Sequence, residues 1–549
     1  MLADAPSSVI LAPGIRIDHR QLPWTGRFIR DYCYAFDQLA PFFSGSPTDR
    51  EALGQAVEAR RRRRPDAGMA GVIERQIAVR NAPAAARAAA GRLGDARTVA
   101  VVTGQQAGLF GGPLFTLLKA LSTIALARRL AREYRTEVVP IFWIDAEDHD
   151  LDEIRVCNVL DRDLAPAPIT LEIDAPSGAS VASVGLDASI TRAVGRLRDM
   201  LAPTEFTGDV LGAIETAYAP GVRLVDAFGR WLDRLLGPHG LVVFDASDPA
   251  AKPFVRSLFA RELRAPGRTA RLATDAGDEL TARGYHAQVV PVPDSVALFR
   301  LDGKRESIRV AGDGFVTGGR SVSGERLLRE LDGDPASFSP NVLLRPLMQD
   351  TLLPTAVYVA GPNELAYLGQ LRRVYETFDV PMPVIYPRAS ATIVDHATTK
   401  FLSRYEVEVA QLQPQNDTAL NELLAAQLPA ALDDAMTAAE RATTERLEAI
   451  RAAVPALDPT LAGAVDATRG RMGRELRHLR GKIIHAAKRR DATLRRQFRR
   501  AQAQCFPGGD PQERAVAGVY FLNRYGFALI DRLLEDLSLE PGYHWLLTP

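Results

Sequence analysis

Five ionisable side chains crowd the stretch Asp145-Ala146-Glu147-Asp148-His149-Asp150, directly after an apolar run that ends at Ile144. Groups packed this closely perturb one another's titration, as acid–base and metal-binding groups do. Glu147 and Asp148 could hold Mg²⁺ beside a nucleotide, while His149 could move a proton. The competing reading is plain capping of a following helix by carboxylates.

A second stretch, Thr103-Gly104-Gln105-Gln106-Ala107-Gly108-Leu109-Phe110-Gly111-Gly112-Pro113, lies between a strand-like run and a helical pattern. Its glycines permit a tight turn and close approach of a ligand. Pro113 suits a first helical turn, whose free N–H groups would favour an anion. Gln105 and Gln106 add amide donors and acceptors; Thr116 and Lys119 follow one and two turns into the helix. The pattern is neither a P-loop nor G-x-G-x-x-G, so a merely structural turn stays open. In a third stretch Asn341, Arg345, Gln349 and Asp350 sit among apolar neighbours and need partners if buried. It continues to Gly361, Glu364 and Tyr367. Arg345 could clamp a carboxylate by two hydrogen bonds, or form a buried structural ion pair.

The elements that must position these groups can be read from periodicity. Apolar runs at 98–102 and 138–144 flank one helical pattern from 113 to about 134. Such runs are parallel strands buried on both faces, here a βαβ unit. In an open parallel sheet the ligand crevice lies at the carboxyl ends of strands, so the glycine turn and the acidic cluster face one space. Further strands are expected at 241–244, 288–290, 297–301, 355–359 and 384–386. The predicted fold is α/β: a Rossmann-like core over 1–390 with N-terminal helices and insertions at about 161–237 and 250–338. The five-arginine run at 60–64 reads as a solvated helix face ending at Pro65.

From 391 to 505 strand signals almost vanish. Leu461, Val465, Thr468, Met472, Leu476, Leu479, Ile483, Ala487, Leu494 and Phe498 mark one long seam, with a stutter at Leu476. A second helix runs from about 420 to 450, with a kink expected at Pro429. The two would form an antiparallel coiled-coil hairpin, and one exposed seam could serve a second subunit. Residues 506–549 are expected to pack back on the core through a helix at 514–537.

The chain has 549 residues with 67 basic and 67 acidic side chains, so no overall field draws nucleic acid or an anionic membrane. The arginine-rich stretch at 469–500 could bind phosphates, but only Phe498 interleaves its charges, which argues against nucleic acid. Cys33, Cys157 and Cys505 are far apart with no C-x-x-C pair, which points to a reducing compartment and no disulfide framework. No run of about 18 apolar residues and no signal-peptide pattern is present, so a cytoplasmic location without membrane spans is expected. Lysine is scarce: Lys119, Lys252, Lys304, Lys400, Lys482 and Lys488 stand in a chain that otherwise uses arginine. A compact, rotatable ammonium is the reason lysine would be retained at such positions.

The motifs at 103–114, 119–124, 142–150, 339–350, 353–367 and 382–388, with Phe521-Leu522-Asn523-Arg524-Tyr525-Gly526, resemble the cysteine-adding enzymes of bacillithiol biosynthesis. The resemblance spans nearly the whole chain in the family's order. It implies a nucleotidyltransferase-type Rossmann-like core, a coiled-coil domain that dimerises, and a ligase joining cysteine to glucosaminyl-malate. It further implies an adenine nucleotide, ATP or ADP with Mg²⁺, although no HIGH or KMSKS motif is present. On this reading cysteine and its activating donor bind over residues 104–112, and His149 or Asp148, with Glu147, does the proton chemistry. Arg345 and Arg388 hold the malate carboxylates. A nucleotidyl- or phosphoryl-transferring ligase for another amine or acid is the rival; a nucleic-acid or scaffold coiled coil is a third. A zinc site is unsupported, since His149 alone among the histidines has several carboxylates beside it.

Overall fold

The computed structural model describes residues 14–549 apart from 174, 176, 177, 303, 428, 429 and 491. The chain divides into two compact units, one of residues 1–393 with 512–549 and the other of residues 394–511. Strands β1 (Val99–Gln105), β2 (Val138–Ile144), β3 (Val242–Asp245), β4 (Thr355–Ala360) and β5 (Val384–Pro387) form a parallel sheet in the order β5-β4-β1-β2-β3. Helix α1 (Leu114–Tyr134) makes the β1–β2 crossover expected from the sequence. Val99, Val101 and Val102 of β1 are buried, each such side chain contributing about 1.5–3 kcal/mol. Strand order reverses between β1 and β4, which opens a crevice at their carboxyl ends.

Between β2 and β3 the chain departs into a hairpin (Val156–Leu160 with Pro166–Thr170) and three helices, so the first insertion begins slightly before 161. The last of these, Leu224–Leu236, packs Phe228 at 5.8 Å from Phe142 of β2. The second insertion carries three α-helices, Arg256–Arg264, Arg268–Ala282 and Gly324–Gly333, and a five-stranded antiparallel sheet, ordered Arg320–Ser323, Gly314–Thr317, Arg305–Ala311, Ser295–Leu301 and Phe338–Pro340. Residues 297–301 are thus a strand, but not of the central sheet. Residues 288–290, expected as a strand, join no sheet. The Gln370 side-chain amide takes over the pairing, accepting from Val289 N at 2.9 Å and donating to Val289 O at 2.8 Å.

Three other expectations need correction. Arg60 is not solvated but 2% exposed, and donates to the carbonyls of Thr355, Asp350 and Pro381 at 3.0, 2.8 and 2.8 Å. Arg64 likewise bonds the carbonyls of Ala96, Thr98 and Leu93. Arg60 and Arg64 thus tie backbone carbonyls together, while Arg62 and Arg63 of the run stay exposed. The single helix expected at 514–537 is three short ones, Gln512–Ala515, Gly518–Tyr525 and Leu529–Asp536. Gly526, at φ +73°, breaks the pattern where a Cβ would come within 2.8 Å of Phe206. A final strand, Tyr543–Leu547, then lies between Ile15–Asp18 and Ser390–Ile393. The boundary after the coiled coil therefore falls at 511/512, not 505/506.

The second unit is helical. Helices Ala430–Ala453 and Leu461–Arg490 run antiparallel, tied by Arg451–Asp466 at 2.9 Å and Arg480–Asp433 at 2.8 Å. The expected kink at Pro429 and the seam side chain of Ala487 lie outside the described residues. Met472 and Leu479 of the seam remain 45% and 46% exposed. Among the described residues no helix is long and apolar enough to cross a membrane.

Candidate functional site

A cleft of about 670 Å³ lies over the carboxyl ends of β1, β2 and β4, walled by the second insertion. At its floor Gly104 lets the backbone pass close to the next strands: a Cβ there would lie 3.2 Å from Trp143 O and 3.4 Å from Tyr358 Oη. Lys119 reaches back from α1 into this gap, donating to Gly104 O at 2.6 Å and Gln105 Oε1 at 3.1 Å. It also pairs with Glu364, whose carboxylate accepts from Gly361 N at 2.8 Å and Tyr358 Oη at 2.7 Å. Burial pulls the Lys119 ammonium down in pKa. Burial pushes Glu364 up, but Lys119 and the other donors outweigh it and hold the carboxyl below its ordinary value. The pair pins β1 to β4.

The acidic strand end separates into distinct roles. Asp145, raised in pKa by burial, stands 3.5 Å from Arg345, which donates to Tyr367 Oη at 2.6 Å. Glu147 is buried against Lys252, whose ammonium also donates to Phe338 O at 3.2 Å. Burial raises the Glu147 carboxyl. Asp148 gathers the Gln106 amide, Arg305 at 3.4 Å and His149 Nδ1 at 3.2 Å. Arg305 is itself fixed by Pro340 O at 2.7 Å and lies 4.1 Å above the Phe299 ring. The His149 side chain is 56% exposed, and its Nε2 has no bond to another described residue.

Of the predicted residues, Gly104, Gln105, Gln106, Lys119, Glu147, Asp148 and His149 line the cleft. Asn341, Arg345, Gly361, Glu364, Tyr367 and Arg388 line the same cleft. Asn341 spends its carbonyl on Leu343 N and Leu344 N, starting helix Arg345–Leu352. Arg388 is bound through two nitrogens to Glu513, at 2.9 and 2.6 Å, and so is already neutralised. Gly108, Gly111 and Gly112 do not line the cleft. Gly111 N donates to Tyr218 Oη and Gly108 O, Gly112 N to Leu109 O, and Leu114 N to Val516 O. The N–H groups of Gly111, Gly112 and Leu114 are thus spent on packing and do not face the cleft. Thr116 is buried beneath it. Asp150 is exposed and caps the helix Leu151–Ile154 through Glu153 N. Gln349 and Asp350 form a buried network with Tyr375 and the Arg60 clamp, away from the cleft.

Sequence reasoning missed Arg305, Tyr358, Phe115, Glu513 and Arg514. Arginine is too common in this chain to stand out, but Lys252 carried a signal in its rarity. Two buried polar atoms at the cleft, Trp143 Nε1 and Gln106 Oε1, have no partner among the described residues, and a polar ligand would complete both. Among the described residues no three His, Cys, Asp or Glu side chains gather as a metal cage. Glu147 and Asp148 are both engaged by cations, Lys252 and Arg305 respectively.

Residues 15–389 match the family described as Bacillithiol biosynthesis BshC, N-terminal Rossmann-like domain. Residues 391–549 match the one described as Bacillithiol biosynthesis BshC, C-terminal coiled-coil domain, which takes in the 512–549 segment that packs with the core. The chain is 35% identical over 523 residues to the Salinibacter ruber protein named "Putative cysteine ligase BshC", covering 94% of each. Proteins of the same name from Koribacter versatilis and Solibacter usitatus are 34% and 33% identical, over 81% and 95% of this chain and 83% and 97% of theirs.

Proposed function

The chain belongs to the BshC family of bacillithiol biosynthesis, and from that premise we propose that it joins the carboxyl group of L-cysteine to the amine of glucosaminyl-malate. The observation that carries this reading is the Asp148–His149 pair at the cleft, with Nε2 of an exposed imidazole left for substrate. The amine nitrogen attacks an activated cysteine carboxyl carbon, the carbon–nitrogen bond forms, and the leaving group departs with its bonding electrons. His149 receives the proton released from nitrogen, and Asp148 orients the imidazole and stabilises its charged form. Arg305 fixes Asp148 in turn, and the buried Lys252–Glu147 pair keeps the strand end rigid. ATP with Mg²⁺, when bound, supplies the activation of the carboxyl; Gln106, Trp143 and Arg345 are the side chains that would hold it. The exposed Met472 and Leu479 support a homodimer formed through the coiled coil, which sedimentation of the purified chain tests.

Purified protein given ATP, Mg²⁺, L-cysteine and glucosaminyl-malate is expected to yield bacillithiol by mass spectrometry. No product, together with normal bacillithiol in a strain lacking the gene, overturns the reading. Turnover that does not need cysteine would instead favour a nucleotidyl- or phosphoryl-transferring ligase for another amine or acid. Phosphate against pyrophosphate release identifies the mode of activation.

A further inference from the structure

The cations lining the cleft fall into two sets. Lys119, Arg305, Arg345 and Arg388 face carboxylates within the protein: Glu364, Asp148, Asp145 and Glu513 respectively. Arg309 and Arg514 line the same cleft and have no ion pair among the described residues. An anionic substrate gains most from cations that are not already compensated, because binding there breaks no internal pair.

Arg514 has the better-prepared setting of the two. The side-chain amide of nearby Gln512 accepts from Ile393 N and donates to Ile393 O, both at 2.7 Å, and the Glu513 carboxylate is held by Arg388, Ser390 and Ala391 N. The carbonyl of Val516, two residues on, accepts from Leu114 N at 2.8 Å. The backbone under Arg514 is therefore fixed on both sides while its own side chain is exposed. The guanidinium lies 5.9 Å from the Phe115 ring, and Arg388 lies 5.6 Å from the same ring. Stacking on an aromatic leaves the guanidinium's N–H edges free for a planar carboxylate. Glu153 also lines the cleft, and no ion pair joins it to Arg514.

We infer that Arg514 is the specificity-determining residue that receives a carboxylate of the malyl group of the amine substrate, the role that sequence alone had given to Arg345 and Arg388. This assignment rests on the proposed ligase reading for the identity of the substrate, but not for the existence of the anion site. A fixed backbone and a free head group lower the ordering cost of binding. The acceptor amine is then presented from the Phe115 side of the cleft toward His149.

Calorimetric titration of the wild-type chain with L-malate and with glucosaminyl-malate tests the site without any turnover. Arg514→Ala and Arg514→Gln are expected to weaken both ligands by about 10- to 100-fold, the loss of a charged hydrogen bond, with Arg514→Lys intermediate. In turnover the KM for glucosaminyl-malate should rise with kcat and the KM for cysteine near wild type. The methyl glycoside of glucosamine, which lacks both carboxylates, should be used equally by wild type and variants. Unchanged affinity in the Arg514 variants, or a loss in Arg309→Ala instead, overturns the assignment, as does equal loss for the methyl glycoside. Failure of wild type to bind either ligand overturns it as well. Malate binding that depends on Arg514 in a protein that makes no bacillithiol would sink the ligase reading and leave the anion site standing.

Discussion

Replacing His149 by asparagine removes a ring that is half in solvent and, among the described residues, makes polar contacts only with Asp148 and Arg305, both of which keep other partners. The expected result is a fall in kcat of at least about 100-fold with an unchanged melting temperature; a variant that keeps full activity would remove His149 from the chemistry. Deeper in the first unit, His544 bonds Ser390 Oγ at 2.7 Å and Thr392 Oγ1 at 2.9 Å, and burial lowers its pKa from 6.5 to about 4. His19 is lowered to about 4 by burial first and the charge of His544 second. Below pH 6.5 the unfolded chain takes up these protons, while the folded chain resists until about pH 4. Stability is therefore present above pH 6.5 and lost as the pH falls through that window. Denaturant midpoints should drop between pH 6.5 and 4, and His544→Asn should flatten part of the drop. An identical slope in the variant would assign the effect elsewhere.

At the scale of elements, the glycine turn before α1 shapes the sheet top without forming the binding surface over its whole length. Gly111 has φ +96°, and a Cβ there would fall 2.6 Å from Trp231 Nε1. Gly111→Ala should cost more than about 1 kcal/mol in stability, yet leave substrate KM unchanged at a temperature where the variant is folded. A raised KM with intact stability would return the turn to the binding surface. The sequence revealed the strand–turn–helix because apolar runs and glycine punctuation are local signals. It could not reveal that Tyr218 and Val516, about a hundred and several hundred residues away, consume the turn's donors. The same limit hid the role of Gln370, whose side chain substitutes for a neighbouring strand at Val289. Lys119 was flagged by its place after the glycine turn as well as by rarity, Lys252 by rarity alone, and both prove to be buried partners of cleft carboxylates. Arg305 and Arg514 gave no such signal in a chain where arginine is the default cation.

At the scale of the whole molecule, the two units can be separated on paper at one junction. Ile393 and Gln512 exchange two hydrogen bonds of 2.7 Å, so the chain leaves and re-enters the first unit at neighbouring points. A short Gly/Ser linker in place of residues 394–511 should therefore preserve a cooperative unfolding transition and the near-ultraviolet spectrum of the buried Trp143 and Trp231. Loss of both would show that the first unit needs the helical hairpin to fold. Sequence periodicity exposed the change to helix near 391 clearly, but the return at 512 was blurred because helices lie on both sides of it.

That return path has a consequence for synthesis. Tyr543–Leu547 fills the space between strands Ile15–Asp18 and Ser390–Ile393, and Glu513 and Arg514 arrive only after the entire hairpin has been made. On a translating ribosome the parallel sheet can assemble early, yet the cleft must wait for residues more than a hundred positions downstream of β5. A nascent chain that has made the parallel sheet but not residue 514 lacks part of the cleft wall.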